Sequence, residues 1–156
     1  MTGPLASLAL AAALAVASFL PVMAQTAPTP QFATPQDAIK FRQATLKELQ
    51  QNFKRVADMA SGREDFNAGM ADQSAQRAAE LIKLPWPAFG PGTEGGKARP
   101  EVWAEQAKFR DLAGKAEVEV SKLAVAAKSG NLDAIKAAVG PAAASCKACH
   151  DSFRAR

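Results

Sequence analysis

The stretch TPQDAIKFRQATLKELQQNFKRVADM, residues 34–59, predicts a long amphipathic helix. Thr34 can cap its start, Pro35 suits the first helical position, and Asp37 favours the positive end of the helix dipole. Apolar side chains then follow one face of the helix, at Ile39, Leu46, Leu49, Phe53 and Val56. The apolar stripe has one missing member, and that position is occupied by Arg42.

Three further helical segments follow, and no strand pattern occurs in the sequence. We expect the first helix to end at Gly62, the second to cover about 65–84 and the third about 100–129. The fourth fills the rest of the chain, and Gly140-Pro141 should kink or interrupt it, because proline removes a backbone donor. Four amphipathic helices predict an all-α fold, an antiparallel four-helix bundle with a long loop between helices 2 and 3.

The long loop, LPWPAFGPGTEGGKARP at residues 84–100, is too rich in proline and glycine to form a regular element. It nevertheless contains Trp86 and Phe89, two aromatic side chains that are costly to leave in water. A long loop that buries aromatic residues is expected to cover another part of the molecule.

The N-terminal segment is apolar and carries no charged side chain, which is typical of a secretory signal peptide cleaved ahead of Gln25. A transmembrane anchor is the alternative, but the stretch is short, is broken by prolines and lacks a basic stop-transfer residue. We therefore expect a signal peptide at residues 1–24, a proline-rich tether at residues 25–34 and one bundle domain at residues 35–156.

The charge of the chain is mildly positive, with 19 basic and 15 acidic residues giving a formal net charge of +4. The two signs are interspersed, and no basic stripe is interleaved with aromatic residues. This pattern gives little support to nucleic-acid binding, and after cleavage of the leader we expect no stable membrane association.

Both cysteines and the only histidine of the chain lie in one run, SCKACH, at residues 145–150. On a helix, the thiols of Cys146 and Cys149 can reach one porphyrin edge and add to its vinyl groups as thioethers. His150 lies on the same face, where its imidazole can ligate the iron. A redox dithiol would need an α/β context and a zinc site a fourth ligand, and the sequence offers neither. The run predicts one covalently attached haem c.

Because this run lies near the end of the sequence, its position predicts which residues lie on the side of the iron opposite His150. In an antiparallel bundle the end of the fourth helix meets the start of the first, so residues about 39–49 should face the haem. The distal candidate there is Leu46, which cannot ligate iron, while Met59 and Met70 should lie towards the far end. We therefore expect a five-coordinate iron with an apolar distal pocket, which favours nitric oxide and carbon monoxide over oxygen. An enzyme of the peroxidase type would need distal acid–base residues that the sequence lacks.

Arg42 fits the same geometry. A guanidinium on an otherwise apolar stripe is costly unless it is paired, and a haem propionate would be a bidentate partner. The alternative is that the side chain extends to solvent at the rim of the bundle.

The segments DAIKFRQATL, LPWPAFGPGTEGGKARPEVW and SCKACHDSFR together resemble the cytochromes c′, the class II c-type cytochromes of bacteria. The resemblance implies a periplasmic homodimer with one haem c, anchored by Cys146 and Cys149 and ligated only by His150. It also implies that the protein binds nitric oxide and carbon monoxide, discriminates against oxygen and serves denitrification or nitrosative defence. An electron carrier that serves periplasmic redox partner proteins is the alternative function.

The resemblance assigns further residues to the surroundings of the haem. They are Arg42, Gln43, Leu46, Trp86, Phe89, Lys97 and Arg154. Simpler interpretations stand beside these roles: core packing for Trp86 and Phe89, a solvated helix end for Arg154, and plain exposure for Lys97. The sequence departs from many relatives at Phe153, where they carry tyrosine.

Overall fold

The computed structural model describes residues 32–156, which form a bundle of four long helices. The helices are, in chain order, α1 (Pro35–Ser61), α2 (Ala68–Leu81), α3 (Glu101–Ala104), α4 (Gln106–Lys128) and α5 (Leu132–Phe153). The short α3 precedes α4, and a 3₁₀ helix, Trp86–Phe89, lies in the loop that follows α2. Within residues 32–156 no helix is both long and apolar enough to span a bilayer. The expected signal peptide, and the tether up to residue 31, lie outside the described residues.

The predicted start and end of α1 are confirmed. The Thr34 side chain accepts a hydrogen bond from the Asp37 backbone N–H at 3.2 Å, and the Asp37 carboxylate accepts one from the Thr34 N–H at 3.1 Å. This reciprocal pair is a capping box, which satisfies backbone donors that the first turn leaves free. At the other end Gly62 adopts φ 75° and closes the helix in the left-handed conformation.

The second helix lies inside its predicted range but is shorter at both ends. It begins after Asn67, whose side chain accepts a hydrogen bond from the Met70 N–H at 2.9 Å. The residues at 61–70 are all exposed. Without apolar burial there, the helix begins only where this cap supplies an acceptor.

Two expectations about the later helices are wrong in detail. The predicted third helix is divided at Glu105, whose φ of −116° and ψ of 45° are not helical. This break accompanies hydrogen bonds from Trp103 Nε1 to the Gly90 carbonyl at 2.9 Å and from Gln106 Nε2 to the Phe89 carbonyl at 3.3 Å. Tertiary bonds to the loop therefore replace helical continuity at this point.

The expected interruption of the last helix does not occur, since α5 continues through Pro141 to Phe153. Pro141 is exposed, so water can bond the helical carbonyl that lacks its usual donor. Ile135 and Ala142, on the buried side, keep the helix packed on both sides of the proline.

The helices pack in the cyclic order α1, α2, α4, α5 around a core made of two clusters. The larger cluster is aliphatic and rich in alanine, with Val56, Met59 and Leu123 among its buried side chains. The smaller cluster consists of Phe89, Val102, Phe109 and Phe153. Small side chains allow the helices to approach closely in the first cluster, whereas the aromatic cluster borders the site described below.

Asp58 ties the end of α1 to the loop that follows it. Its carboxylate accepts hydrogen bonds from the Lys54 ammonium and from Arg63 Nε, the latter at 2.8 Å. Its carbonyl also accepts the Arg63 backbone N–H at 2.9 Å. The bonds from Lys54 and Arg63 hold the pKa of the Asp58 carboxyl below its usual range.

We expect Asp58→Asn to lower the free energy of unfolding at neutral pH. Because the folded-state pKa is depressed, the carboxylate stabilises the fold above its unfolded-state pKa, and this contribution disappears as the pH falls through the folded-state value. Urea unfolding should be measured between about pH 7 and about pH 2. The difference in the free energy of unfolding between wild type and variant should shrink as the pH falls. Asp111→Asn, which removes an exposed ion pair to Lys115, is the matched control and should have little effect. A gap independent of pH would contradict the assignment.

Candidate functional site

One cavity of about 670 Å³ opens between α1, the carboxyl-terminal half of α5 and the loop between α2 and α3. Its size lies within the range of about 300–1,000 Å³ typical of sites for small ligands and cofactors. The ten residues that the sequence analysis assigns to the site all line this cavity: Arg42, Gln43, Leu46, Trp86, Phe89, Lys97, Cys146, Cys149, His150 and Arg154.

The α5 wall carries the thiols and the imidazole. Cys146 and Cys149 are half-buried, and neither forms a disulfide. Burial raises the pKa of the Cys146 thiol, and burial together with the neighbouring Cys146 raises the pKa of Cys149 to about 11. Desolvation, with a further contribution from the Arg154 charge, lowers the pKa of His150. At neutral pH this wall therefore offers two protonated thiols beside a neutral imidazole that can ligate a metal.

The α1 wall is apolar at the height of Leu46. This side chain packs against both core clusters, and the polar residues one turn away on the same face, Gln43 and Gln50, are exposed. Among the described residues, no methionine lines the cavity: Met59 is 2% exposed within the aliphatic core, and Met70 is 40% exposed on α2. The expectation that both methionines lie away from the site is confirmed.

Arg42 is buried, with 2% of its surface exposed, so the alternative that it extends to solvent at the rim is wrong. Its Nη1 donates to the carbonyls of Ala88 at 2.7 Å and Thr93 at 2.8 Å, and its Nη2 donates to the Gly95 carbonyl at 3.0 Å. The guanidinium carbon also lies 4.4 Å from the centre of the Phe89 ring. These loop groups are its partners in the structure, and a bond to a propionate stays a prediction.

The loop residues 90–99 form a strap along the cavity, as the expectation of a covering loop suggests. The Arg42 bonds attach the strap to α1. At its other end, Ala98 pairs with Arg154 in an isolated antiparallel bridge, and the Arg99 N–H donates to the Phe153 carbonyl at 2.9 Å. The strap therefore joins the first and last helices beside the cavity, with Lys97 lining the wall between them.

An aromatic wall continues from the loop through α4 to α5. The ring centres of Phe89 and Phe109 are 5.0 Å apart, those of Trp86 and Phe109 5.9 Å, and those of Phe109 and Phe153 5.3 Å. Trp86 and Phe89 thus pack in the core and also line the cavity. Phe109 lies on the buried, apolar face of α4, and the sequence did not reveal that this face borders the site.

The composition of the cavity fits a flat, mostly apolar group that bears acidic substituents. The charged residues that line the cavity are all basic: Arg42, Lys47, Lys97, Lys147 and Arg154. The Nε1 of Trp86 is buried and has no hydrogen-bond acceptor among the described residues. Residues 32–156 contain no group of three or more His, Cys, Asp or Glu side chains that could hold a bare metal ion. The basic side chains and the Trp86 N–H suit acidic substituents, and the two thiols and the single imidazole suit attachment and iron ligation. Together these groups suit a haem c.

Comparison with known proteins agrees with this description. The family model described as Cytochrome C′ matches residues 37–154. Cytochrome c′ of Alcaligenes xylosoxydans xylosoxydans is 43% identical over 124 residues, which are 80% of this chain and 98% of that protein. Cytochrome c′ of Rubrivivax gelatinosus is 43% identical over 127 residues, with the same coverage.

Solved structures show the same relationship in three dimensions. The crystal structure of the Rubrivivax gelatinosus protein has a TM-score of 0.77 at 43% identity and covers 80% of this chain and 100% of its own. The nitric oxide complex of a leucine-to-isoleucine variant of the Alcaligenes xylosoxidans protein has a TM-score of 0.76 at 40% identity, with coverage of 81% and 100%. The extent of the family match and these identities establish that the chain belongs to the cytochrome c′ family.

Proposed function

We propose that this protein is a periplasmic cytochrome with one covalent haem c and a five-coordinate iron, which binds nitric oxide and carbon monoxide in nitric oxide sequestration or defence. The observation that carries the proposal is the α1 wall. It presents the hydrocarbon side chain of Leu46, and no described methionine lines the cavity. Such a wall supplies neither a sixth ligand nor a hydrogen-bond donor at that height.

The α5 residues would hold the group. Cys146 and Cys149 would form the two thioethers, and His150 would ligate the iron. When bound, the haem supplies an iron at which a small diatomic gas can bind. The neutral form of His150, favoured by its lowered pKa, leaves a lone pair free for this ligation.

The residues of α1 and the loop would set which gas is favoured. Bound oxygen depends on a distal hydrogen-bond donor more than nitric oxide or carbon monoxide does, and Leu46 supplies none. The amides of Gln43 and Gln50 are exposed rather than buried beside Leu46. The buried donor that this wall does contain, Arg42, is engaged by the loop carbonyls of Ala88, Thr93 and Gly95. The wall therefore offers oxygen no free buried donor, and the other two gases are favoured by default.

The solved relatives support the choice of ligand. Cytochrome c prime from Alcaligenes xylosoxidans, about 40% identical to this chain, forms nitric oxide complexes in several leucine variants. In the present chain two leucines of α1, Leu46 and Leu49, line the cavity, and of these Leu46 packs against both core clusters.

The proposal includes export and a homodimer. Export is supported by the uncharged apolar segment at residues 1–24. The homodimer is supported by the family resemblance and by two exposed apolar side chains, Phe66 just before α2 and Met70 in its first turn. Sedimentation equilibrium of the mature protein should give twice the mass of one chain.

Absorption and electron paramagnetic resonance spectra of the purified holoprotein test the function, before and after addition of nitric oxide. We expect a high-spin, five-coordinate resting iron and a changed spectrum with the gas. A low-spin, six-coordinate resting iron that does not respond to nitric oxide would overturn the proposal. It would favour the electron carrier instead, because a saturated iron reorganises little during electron transfer.

A further inference from the structure

At Gly95 and Gly96 the strap approaches α1 with backbone rather than with side chains. Gly95 and Gly96 have φ of 131° and 63°, values that side-chain-bearing residues rarely adopt. A methyl group placed on Gly96 would lie 2.5 Å from Nε2 of Gln43, and one on Gly95 would lie 3.4 Å from the Ile39 side chain. Strap and helix therefore meet along a seam, which we define by Gln43 on α1 and Gly96 on the strap. At this seam the strap contributes no side chain that interlocks with α1.

Arg42 supplies the polar attachment beside this seam. Arg42 donates to three backbone carbonyls. That of Ala88 lies just before the strap, and those of Thr93 and Gly95 lie in its first half. Thr93 Oγ1 lies within 3.2 Å of Nη1 and donates to the Gly90 carbonyl at 2.7 Å, which fixes the turn. Hydrogen bonds from a charged donor are stronger than neutral ones, and strap opening would leave a buried guanidinium without several partners. The closed arrangement is therefore favoured.

We infer that Arg42 is a positioning residue that holds the strap against α1, and that opening of the seam between Gln43 and Gly96 is the step by which a diatomic gas enters and leaves the cavity. This inference rests on the proposed function, because it requires a gas to bind inside the cavity. It gives Arg42 a role through the loop, distinct from direct contact with the cofactor.

A gate has a characteristic kinetic effect. It controls the passage of the ligand in both directions, so a looser gate raises the association and dissociation rate constants by similar factors. A residue that touches the bound ligand instead changes the ratio of the two. Laser flash photolysis and ligand-exchange kinetics of the carbon monoxide complex of the holoprotein measure both constants.

Arg42→Gln should raise both rate constants at least about tenfold, the effect expected when a hydrogen-bond network to a charged group is weakened. Gln43→Ala widens the seam without touching the Arg42 bonds and should shift both constants in the same direction. Arg77→Gln is the matched control, because Arg77 joins α1 to α2 through Glu48 at 2.8 Å and does not line the cavity. It should leave both constants at their wild-type values.

Two further measurements keep the test decisive. If Arg42→Gln does not fold, Thr93→Val removes the hydroxyl and retains the charge, and it should raise both constants by a smaller factor. Amide hydrogen exchange of the strap, residues 90–99, needs no gas. Exchange there should become faster in Arg42→Gln than in wild type, and it should not change in Arg77→Gln.

The outcomes separate the possible failures. Faster exchange with unchanged gas kinetics would show that the strap moves but is not the gate. Unchanged exchange would refute the positioning role, and a change confined to the dissociation rate would place Arg42 in contact with the bound ligand instead. A wild-type holoprotein that binds no carbon monoxide would refute the proposed function and the gate together, whereas variants that bind it at wild-type rates would refute the gate alone.

Discussion

Replacing Cys146 and Cys149 together by serine is expected to abolish covalent attachment of the haem. Hydroxyl groups do not form the thioether bonds proposed for the two thiols, and among the described residues these are the only cysteines. Mass spectrometry of the denatured protein should show the added mass of haem on wild type. It should show no added mass on the double variant. Each single variant should retain the one remaining bond.

The matched control for this experiment is Ser145→Ala. Ser145 precedes the first cysteine, and its hydroxyl donates to the Ala142 carbonyl at 2.7 Å. This variant should carry covalent haem at the wild-type level. Covalent haem in the double serine variant would refute the assignment of the two thiols, and loss of haem in Ser145→Ala would show that helix geometry rather than the thiols limits attachment.

Leu46→Ala is expected to raise the affinity for carbon monoxide by roughly tenfold to a hundredfold, since relief of crowding of one large side chain is worth about 1–3 kcal/mol. Leu46 packs against both core clusters and lines the cavity, so the three carbons that the substitution removes leave room beside the proposed gas site. Equilibrium titration of the reduced holoprotein with carbon monoxide measures the change.

Leu112→Ala is the control for that titration. Leu112 is partly buried against the aromatic cluster but does not line the cavity, so its truncation should alter stability more than affinity. Unchanged affinity in Leu46→Ala would refute the steric account of the α1 wall. The effect also differs in kind from that of Arg42→Gln, because removal of crowding changes the ratio of the rate constants, whereas a loosened strap changes both.

Local rules in the sequence predicted the parts of the fold that local chemistry controls. The capping box of Thr34 and the left-handed Gly62 follow from side-chain and backbone preferences within a few residues, and the structure confirms both. Pro141 shows the limit of such rules. Its local cost is one hydrogen bond, and the buried side of α5 outweighs it, so the predicted interruption does not occur.

The contacts that the site residues make were harder to predict than the identity of those residues. The stripe of α1 showed that Arg42 needs partners, but the carbonyl of Ala88 is 46 residues away, and its position depends on the path of the loop. Likewise, Phe109 borders the site because of where the bundle leaves a cavity, and that place depends on how all the helices pack. Non-local geometry of this kind has no signature at a fixed spacing in one sequence.

The bridge between Ala98 and Arg154 has a consequence for biogenesis. It joins the strap to the last helix only after this helix has been synthesised and has docked beside the first, at which point Cys146 and Cys149 are half-buried. Under the proposed function, a bulky planar prosthetic group would reach this wall most easily while the carboxyl-terminal helix is still undocked. The thioethers would then form on an open chain, and the bundle would close around the finished adduct.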